Sequence, residues 1–269
     1  MSKLLVKPSD PTSTGRVIEV TPESAGWTYV GFNVHKLAKD QTVSEKTGDR
    51  EVCLVFVSGK GHVKVDDQDF GLLGERMSPF EGKPWSVYIP SGSIWSVEAE
   101  TDVELAICSA PGAETGEAKL EARVIGPDQA GKETRGEGTN VRHVANILPE
   151  TEPAHSLLVV EVITPGGHWS SYPPHKHDRD ALPDESLLEE TYYHRLNPSQ
   201  GFAFQRVYTD DKSLDETIAV EDGNVVLVPE GYHPCGAPHG YDLYYLNVMA
   251  GPKRIWKFHN DPAHEWMLK

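Results

Sequence analysis

The apolar segments of this chain are short, and that shortness constrains its fold more than any other feature. Each runs for five to eight residues and is rich in Val, Ile, Tyr or Phe, and the 24 glycines and 20 prolines supply turns between them. The clearest examples are residues 51–57, 85–89, 103–108, 156–163, 202–208, 224–228 and 243–248. Short β-type segments separated by turn signals are typical of a sandwich or barrel. Since no long amphipathic helical pattern interrupts them, we expect an all-β fold.

Landmarks in the first half of the chain recur in the second half at a constant spacing. The matched features lie 139 residues apart and are Glu51 and Glu190, Pro90-Ser91-Gly92 and Pro229-Glu230-Gly231, and Gly112 and Gly251. A shared spacing predicts two copies of one fold. The polar, Gly-rich segment 131–139 then marks the boundary, which gives domains of residues 1–138 and 139–269.

The charge and cysteine content exclude several classes of protein. A formal net charge of −16 argues against nucleic-acid binding, because neutralising phosphates requires clustered Lys and Arg. A small anionic substrate is still compatible with that charge, since one or two local arginines suffice to bind it. The three cysteines are too scattered to predict a disulfide framework or a CxxC zinc site. Without a signal-peptide pattern or an apolar run of roughly 20 residues, we expect a cytoplasmic protein that does not bind membranes.

Two histidines separated by one residue, His175 and His177, follow Pro173 and Pro174. Side chains alternate along a strand, so both imidazoles would share one face while Lys176 points away. Two imidazoles on one face can approach a single cation, although this motif alone is a weak signal. The prolines are expected at the start of the strand, where proline is tolerated.

A second motif, residues 223–233, has the pattern GxxxxxPxGxH and ends at His233. A strand that runs into a Pro-x-Gly turn can bring this histidine to the open end of a barrel. A carboxylate should complete the set, and the repeat selects Glu190, which matches Glu51, with Glu189 as the alternative. Three histidines and one carboxylate suit one divalent ion of Zn, Mn, Fe, Co or Ni and leave a position for substrate.

The same spacing predicts that the first half has no metal site. Lys36 and Ala38 stand where the paired histidines stand, and Ile94, which cannot bind a metal, stands where His233 stands. The first barrel is therefore expected to be purely structural. In the second half, residues 178–189 are expected to form a loop at the barrel mouth, where it could cover a ligand.

Other side chains are candidates for handling a substrate. Tyr192 shares the strand face of Glu190 and is either a barrel-lining aromatic or a proton donor. Any of Arg142, Arg195 and Arg206 could bind a substrate carboxylate, because the guanidinium group matches a carboxylate with two hydrogen bonds. We select Arg206 and Arg142 as the substrate-binding candidates and Tyr192 as the catalytic one.

The order of these motifs carries a resemblance to known proteins. HxH, a following Glu and PxGxH together resemble the signature of the cupin superfamily, and two such halves make a bicupin of two double-stranded β-helix (jelly-roll) barrels. Finer stretches resemble the 5-deoxy-glucuronate isomerase family of myo-inositol catabolism. They are HKH at 175–177, ETYY at 190–193, QRVY at 205–208, PEGYHP at 229–234 and NDPAHEW at 260–266.

The resemblance implies a metal-dependent aldose–ketose isomerase that converts 5-deoxy-glucuronate to 5-dehydro-2-deoxy-gluconate, through an enediol or by a hydride shift. It is also compatible with a homodimer. The chain departs from the superfamily pattern because Glu190 lies further from His177 than usual. Two alternatives stay open. One is a uronate ketol-isomerase of pectin degradation, and the other is a cupin that binds a sugar acid without catalysis.

Overall fold

The computed structural model of the protein describes residues 2–114, 116–118 and 120–268 and consists almost entirely of β-strands. The first twelve strands are β1 (Leu5–Val6), β2 (Arg16–Val20), β3 (Gly31–Leu37), β4 (Thr42–Lys46), β5 (Arg50–Ser58), β6 (Gly61–Val65), β7 (Gln68–Leu73), β8 (Trp85–Ile89), β9 (Ile94–Ala99), β10 (Val103–Pro111), β11 (Arg123–Ile125) and β12 (Gly131–Arg135). The all-β prediction is thus confirmed.

The remaining strands follow in the second half of the chain. They are β13 (Arg142–Leu148), β14 (Leu158–Thr164), β15 (Trp169–Ser170), β16 (His175–Lys176), β17 (Asp178–Ala181), β18 (Glu185–Leu187), β19 (Glu189–Asn197), β20 (Phe202–Tyr208), β21 (Asp215–Glu221), β22 (Val225–Val228), β23 (Cys235–Gly236), β24 (Asp242–Ala250) and β25 (His259–Asn260). Helical structure in the described part is confined to α1 (Pro22–Ala25) and two 3-10 turns, Gly138–Asn140 and Glu265–Leu268. Within the same part, no helix is long and apolar enough to cross a membrane.

The chain divides into two compact units, and the first comprises Pro8–Gly131 with Ala145–Val159. It contains a six-stranded sheet, in the order β11-β8-β5-β10-β3-β2, and a four-stranded sheet, β4-β9-β6-β7. Both sheets contribute to one apolar core, which includes Leu54, Val63 and Trp95. Strand β6 shows how the sequence builds this core, because its residues alternate between buried and exposed as a strand with one covered face requires.

The second unit comprises the chain up to Lys7, Lys132–Val144, and the chain from Val160 onwards. Its larger sheet has the order β1-β22-β19-β24-β14-β13-β12, and its smaller sheet the order β15-β23-β20-β21. Strand β1 belongs here because Leu5 pairs with Val226. The core of this unit includes Tyr192 and Val207, so the face of β19 that carries Tyr192 looks into the barrel.

The two units repeat the same arrangement of strands, which confirms the predicted duplication. The order β8-β5-β10-β3-β2 corresponds strand for strand to β22-β19-β24-β14-β13. Strands β5 and β19 have 9 residues each, and so do β10 and β24. Both pairs begin 139 residues apart, which is the spacing seen in the sequence.

That spacing does not extend to the strands before β5 and β19. Strand β3, which contains Lys36, pairs with β10 as β14 pairs with β24, so β3 corresponds to β14. The prediction that Lys36 and Ala38 stand in place of the paired histidines is therefore wrong. The cause is the antiparallel hairpin β17–β18, which lengthens the chain before β19 and replaces the loop expected at the barrel mouth. Only residues 47–49 separate β4 from β5.

Candidate metal centre

Three histidines from two separate segments meet in the second unit. His175 lies in β16 and His177 follows that strand directly, while His233 lies in the turn after β22. One ring nitrogen of each comes within 4.8 Å of the other two. His177 and His233 are buried, and His175 is partly exposed. The arrangement brings together the three histidines that the sequence selected.

A carboxylate completes this group. Glu190 is the second residue of β19, and its Oε2 atom lies 3.1 Å from His177 Nε2 and 3.2 Å from His233 Nε2. It is buried, with 2% of its surface exposed. Since neighbouring residues of a strand face opposite sides, Glu189 is directed away from the histidines. The structure thus places Glu190, and not Glu189, beside the imidazoles.

Hydrogen bonds orient two of the imidazoles. His177 Nδ1 lies 3.1 Å from the Leu188 carbonyl oxygen, and His233 Nδ1 lies 2.8 Å from the Gly231 carbonyl oxygen. A carbonyl can only accept, so each Nδ1 donates and each Nε2 is turned toward Glu190, where a ring without a proton on Nε2 offers that lone pair to a cation. The Nε2 atom of His233 is buried and has no hydrogen-bond partner among the described residues. Lone pairs gathered around a buried carboxylate fit a divalent cation.

The charges in this site are strongly coupled. Burial lowers the pKa of His175 well below its ordinary value, and the neighbouring His233 and His177 lower it further. Burial also disfavours charge on His177, but the hydrogen bond and the charge of Glu190 prevail and raise its pKa. Burial opposes ionisation of Glu190 as well, yet His233 and His177 lower its pKa to about 2. Glu190 is therefore anionic at neutral pH.

A cavity adjoins these side chains. Its lining includes His175, Glu190, Ser171, Tyr192 and Arg142. The hydroxyl groups of Tyr192 and Ser171 lie 2.8 Å apart. Burial and the nearby Glu190 raise the pKa of Tyr192 well above its ordinary value, so the phenol keeps its proton at neutral pH. Tyr192 thus lines the cavity and also has a proton to donate, so its position is compatible with both roles that the sequence suggests, the lining aromatic and the proton donor.

The two arginines selected from the sequence lie in different surroundings. Arg142 lines the cavity and is half-buried, and its Nη1 atom donates to the carbonyl oxygens of Asn140 and Tyr172 over 3.1 and 3.3 Å. Arg206 does not line this cavity. Its Nε and Nη2 atoms donate to the two carboxylate oxygens of Asp215 over 2.7 and 2.6 Å. A role for Arg206 in substrate binding stays a prediction, and this placement does not favour it.

Two further residues of the cavity were not selected from the sequence. Arg135 and Trp256 both line it, with the guanidinium carbon of Arg135 5.3 Å from the centre of the Trp256 ring. Arg135 lies in the polar segment that the sequence identifies as a domain boundary. The polar, Gly-rich composition of that segment therefore does not indicate that Arg135 lines a cavity. A cation next to a tryptophan is the signal that sequence alone could not show, because the two are far apart along the chain.

Comparisons with known proteins match this chain to one family over nearly its whole length. A model of the KduI/IolB family matches residues 4–267. The 5-deoxy-glucuronate isomerase of Geobacillus kaustophilus is 57% identical over an alignment of 270 residues that covers 100% of this chain and 96% of that protein. The enzyme of the same name from Bacillus subtilis strain 168 is 53% identical over 274 residues and is covered completely, as is this chain.

Solved structures extend the same comparison to the fold. The crystal structure of an IolB-like protein from Salmonella typhimurium LT2 has 50% sequence identity and a TM-score of 0.95, with 100% of both chains covered. A mutant of Bacillus subtilis oxalate decarboxylase is 14% identical, with a TM-score of 0.67 over 97% of this chain and 80% of that one. The second likeness concerns the fold alone, and together with the repeated sheets it supports the bicupin architecture.

Proposed function

This chain belongs to the KduI/IolB family, and we propose that it is an aldose–ketose isomerase that converts 5-deoxy-glucuronate to 5-dehydro-2-deoxy-gluconate. Relatives with that activity in their name are 51% to 57% identical over the whole of this chain. The observation that carries the proposal is the group formed by His175, His177, Glu190 and His233 beside a cavity in such a chain.

We propose that these four side chains hold one divalent metal ion. Imidazole nitrogens with one carboxylate oxygen form a donor set that suits Zn, Mn, Fe, Co or Ni. When bound, the ion supplies Lewis-acid polarisation of the substrate's carbonyl and adjacent hydroxyl groups. Residues 139–269 would carry this site and residues 1–138 a barrel without metal. The exceptions are the chain up to Lys7 and residues 132–138, which belong to the second unit, and the segment Ala145–Val159, which belongs to the first.

Tyr192 is proposed as the acid of the reaction. Aldose–ketose isomerisation moves a hydrogen between neighbouring carbons and requires protons to be placed on and removed from the oxygens. The Tyr192 phenol lines the cavity, keeps its proton at neutral pH and is oriented by Ser171. A positioned acid of this kind typically contributes about 100- to 10,000-fold in rate.

Arg142 is proposed to bind the carboxylate of the sugar acid. Its described hydrogen bonds go to two carbonyl oxygens and to no acidic group, and it lies partly buried in the cavity wall. The charge of Arg135 lies close enough to lower its pKa, after the larger effect of burial. Arg135 is itself paired with Glu133 over 2.6 Å, so Arg142 is the better candidate in this cavity wall for binding an anionic ligand. We prefer Arg142 to Arg206, whose guanidinium group already binds Asp215. A homodimer and a cytoplasmic location stay predictions.

The test is a coupled assay of purified protein loaded in turn with Zn, Mn, Fe or Co. We expect saturable turnover of 5-deoxy-glucuronate that is abolished by a chelator and restored by metal. A uronate from pectin degradation serves as the matched competitor. Turnover of that uronate, without turnover of 5-deoxy-glucuronate, would show that the protein is instead a uronate ketol-isomerase of pectin degradation. Saturable sugar-acid binding without turnover by any loaded form would instead show a binding protein.

A further inference from the structure

Lys176 is a buried cation between two of the proposed metal ligands, and the proposed reaction does not use it. Only 5% of its side chain is exposed. As strand alternation predicts, the ammonium group points away from the histidines. Its Nζ atom lies 2.5 Å from Asp210 Oδ2 and 3.4 Å from Asp178 Oδ1. Lys176 therefore joins its own segment to the chain that follows β20.

The two acidic partners of Lys176 also accept hydrogen bonds from the segment that carries His233. The Gly231 backbone N–H donates to Asp178 Oδ2 over 2.8 Å. The Tyr232 hydroxyl donates to Asp210 Oδ1 over the same distance. Both donors lie directly before His233. One network of side chains thus connects the segment of His175 and His177 with the turn of His233, on the side opposite the ligands.

Backbone pairing near the two ligand-bearing segments stops short of the ligands themselves. Strand β16 pairs with the two-residue strand β25 in a sheet of its own. The segment of His233 pairs with β20 on both sides of the histidine, through the bridge between Tyr232 and Tyr208 and through the Arg206 N–H, which donates to the Pro234 carbonyl oxygen over 3.0 Å. The ladder of β15 with β23 joins the two segments at Ser170 and Cys235, where β15 ends and β23 begins. The network through Lys176 adds a side-chain connection next to the ligands.

A buried ion pair is a poor source of stability, since removing two charges from water offsets most of their attraction. A methionine of similar length at position 176 would avoid the cost of burying the ammonium group, but it would remove the cation beside Asp178. What the ammonium group adds is direction, because it can donate to two acceptors at fixed positions. The best-attested use of such buried charges is to fix the register of the segments that they join.

We propose that Lys176, acting through Asp178, Asp210 and Tyr232, is a positioning residue that holds the two histidine-bearing segments at the separation required for metal binding. This inference rests on the proposed metal site. Partners behind metal ligands typically affect metal affinity by about 10- to 100-fold. We therefore expect Lys176→Met to weaken Zn²⁺ binding by that factor, even where the protein stays folded.

The experiment measures Zn²⁺ affinity of the metal-free full-length chain by competition with a chromogenic chelator. The variants are Lys176→Met, Asp210→Asn and the double variant. Asp210 is largely exposed, so Asp210→Asn keeps the test informative if Lys176→Met folds poorly. Because the two residues act through one contact, the double variant should lose less affinity than the product of the single losses.

A buried cation from the other unit provides the control. Arg76 is 5% exposed, and its Nε atom donates to the Val57 carbonyl oxygen over 2.9 Å. Arg76→Met should lower thermal stability and leave Zn²⁺ affinity unchanged. Wild-type affinity in both Lys176→Met and Asp210→Asn would overturn the positioning role, whatever happens to their stability.

A last variant separates this inference from the metal site on which it rests. His233→Ala in the same titration should lose Zn²⁺ binding. If His233→Ala binds like wild type, the site assignment itself fails, and the positioning role fails with it. If His233→Ala loses binding while the Lys176 and Asp210 variants keep it, only the positioning role is wrong.

Discussion

Glu51 and Glu190 occupy the same place in two matching strands, yet their carboxylates meet different partners. Oxygen atoms of Glu51 accept hydrogen bonds from the backbone N–H groups of His155, Ser156 and Leu157 over 2.9, 2.7 and 2.7 Å. The Tyr88 hydroxyl donates to the same carboxylate over 2.7 Å. Glu190 faces two imidazoles instead. A buried acid at one position of one fold can thus anchor the backbone in the first unit and face a candidate cation site in the second.

The Pro-x-Gly turn shows the same divergence. Gly92 and Gly231 both adopt positive φ angles, of 76° and 86°. At Gly231 a Cβ atom would come within 2.4 Å of the Tyr208 carbonyl oxygen, so glycine is required there. Two residues later the first unit has Ile94, which is 50% exposed, and the second has the buried His233. The backbone of the turn is shared, and its chemistry depends on one side chain.

Exchanging each glutamate for glutamine should separate the two roles and give the largest effects. Glu190→Gln should weaken Zn²⁺ binding and catalysis by at least about 100-fold, since even outer partners of metal ligands are worth about 10- to 100-fold. Glu51→Gln should lower the free energy of unfolding by about 3 kcal/mol, because its amide group would face backbone N–H donors. Metal analysis, turnover and chemical denaturation measure the three quantities.

The contrast between the variants is the control, because each serves as the reference for the other. Loss of metal in Glu51→Gln would show that the first unit also supports the site. Retention of metal by Glu190→Gln would mean that its carboxylate is an anchor like that of Glu51. The two glutamates would then not differ in role.

The pH dependence of metal binding tests how closely Glu190 is coupled to the imidazoles. Glu190 raises the pKa of His177 above the ordinary value of about 6.5, and a proton on that ring must leave before the ring can bind a metal. Zn²⁺ affinity should therefore fall about tenfold per pH unit below that raised pKa and level off above it. Glu190 contributes no pH dependence of its own between pH ~5 and ~8, because its pKa is about 2 and it stays ionised across that range. Chelator competition across that range measures the profile, and a flat profile would contradict it.

The smallest effect is expected from two partly or fully buried arginines, one in each unit. Arg142→Met should raise KM for the sugar acid by about 10- to 100-fold with little change in kcat, because hydrogen bonds to a charged group are worth about 1.5–3 kcal/mol. Arg76→Met removes a cation that donates to Val57 and should leave KM unchanged. Steady-state kinetics measure both. An unchanged KM in Arg142→Met would direct attention to Arg135 or Arg206 as the binder of the carboxylate.

The sequence predicted much of this arrangement from local rules. Alternating and short apolar segments dictate strands, the 139-residue spacing identifies β5 with β19, and HKH and PEGYH select residues that do meet in space. The same spacing failed for Lys36 and Ala38, because the hairpin β17–β18 interrupts it. A constant spacing cannot reveal where an insertion lies when only two copies are compared.

What the sequence determined by itself is therefore the kind of fold, the duplication and the identity of the three histidines and the glutamate that cluster, since strand periodicity and turn chemistry are properties of neighbouring residues. The tertiary structure alone decided which groups surround them. It placed Arg142 in the cavity wall, paired Arg206 with Asp215, and turned Lys176 toward Asp210 behind the histidines. These outcomes depend on contacts between residues far apart along the chain, and no local pattern records such contacts.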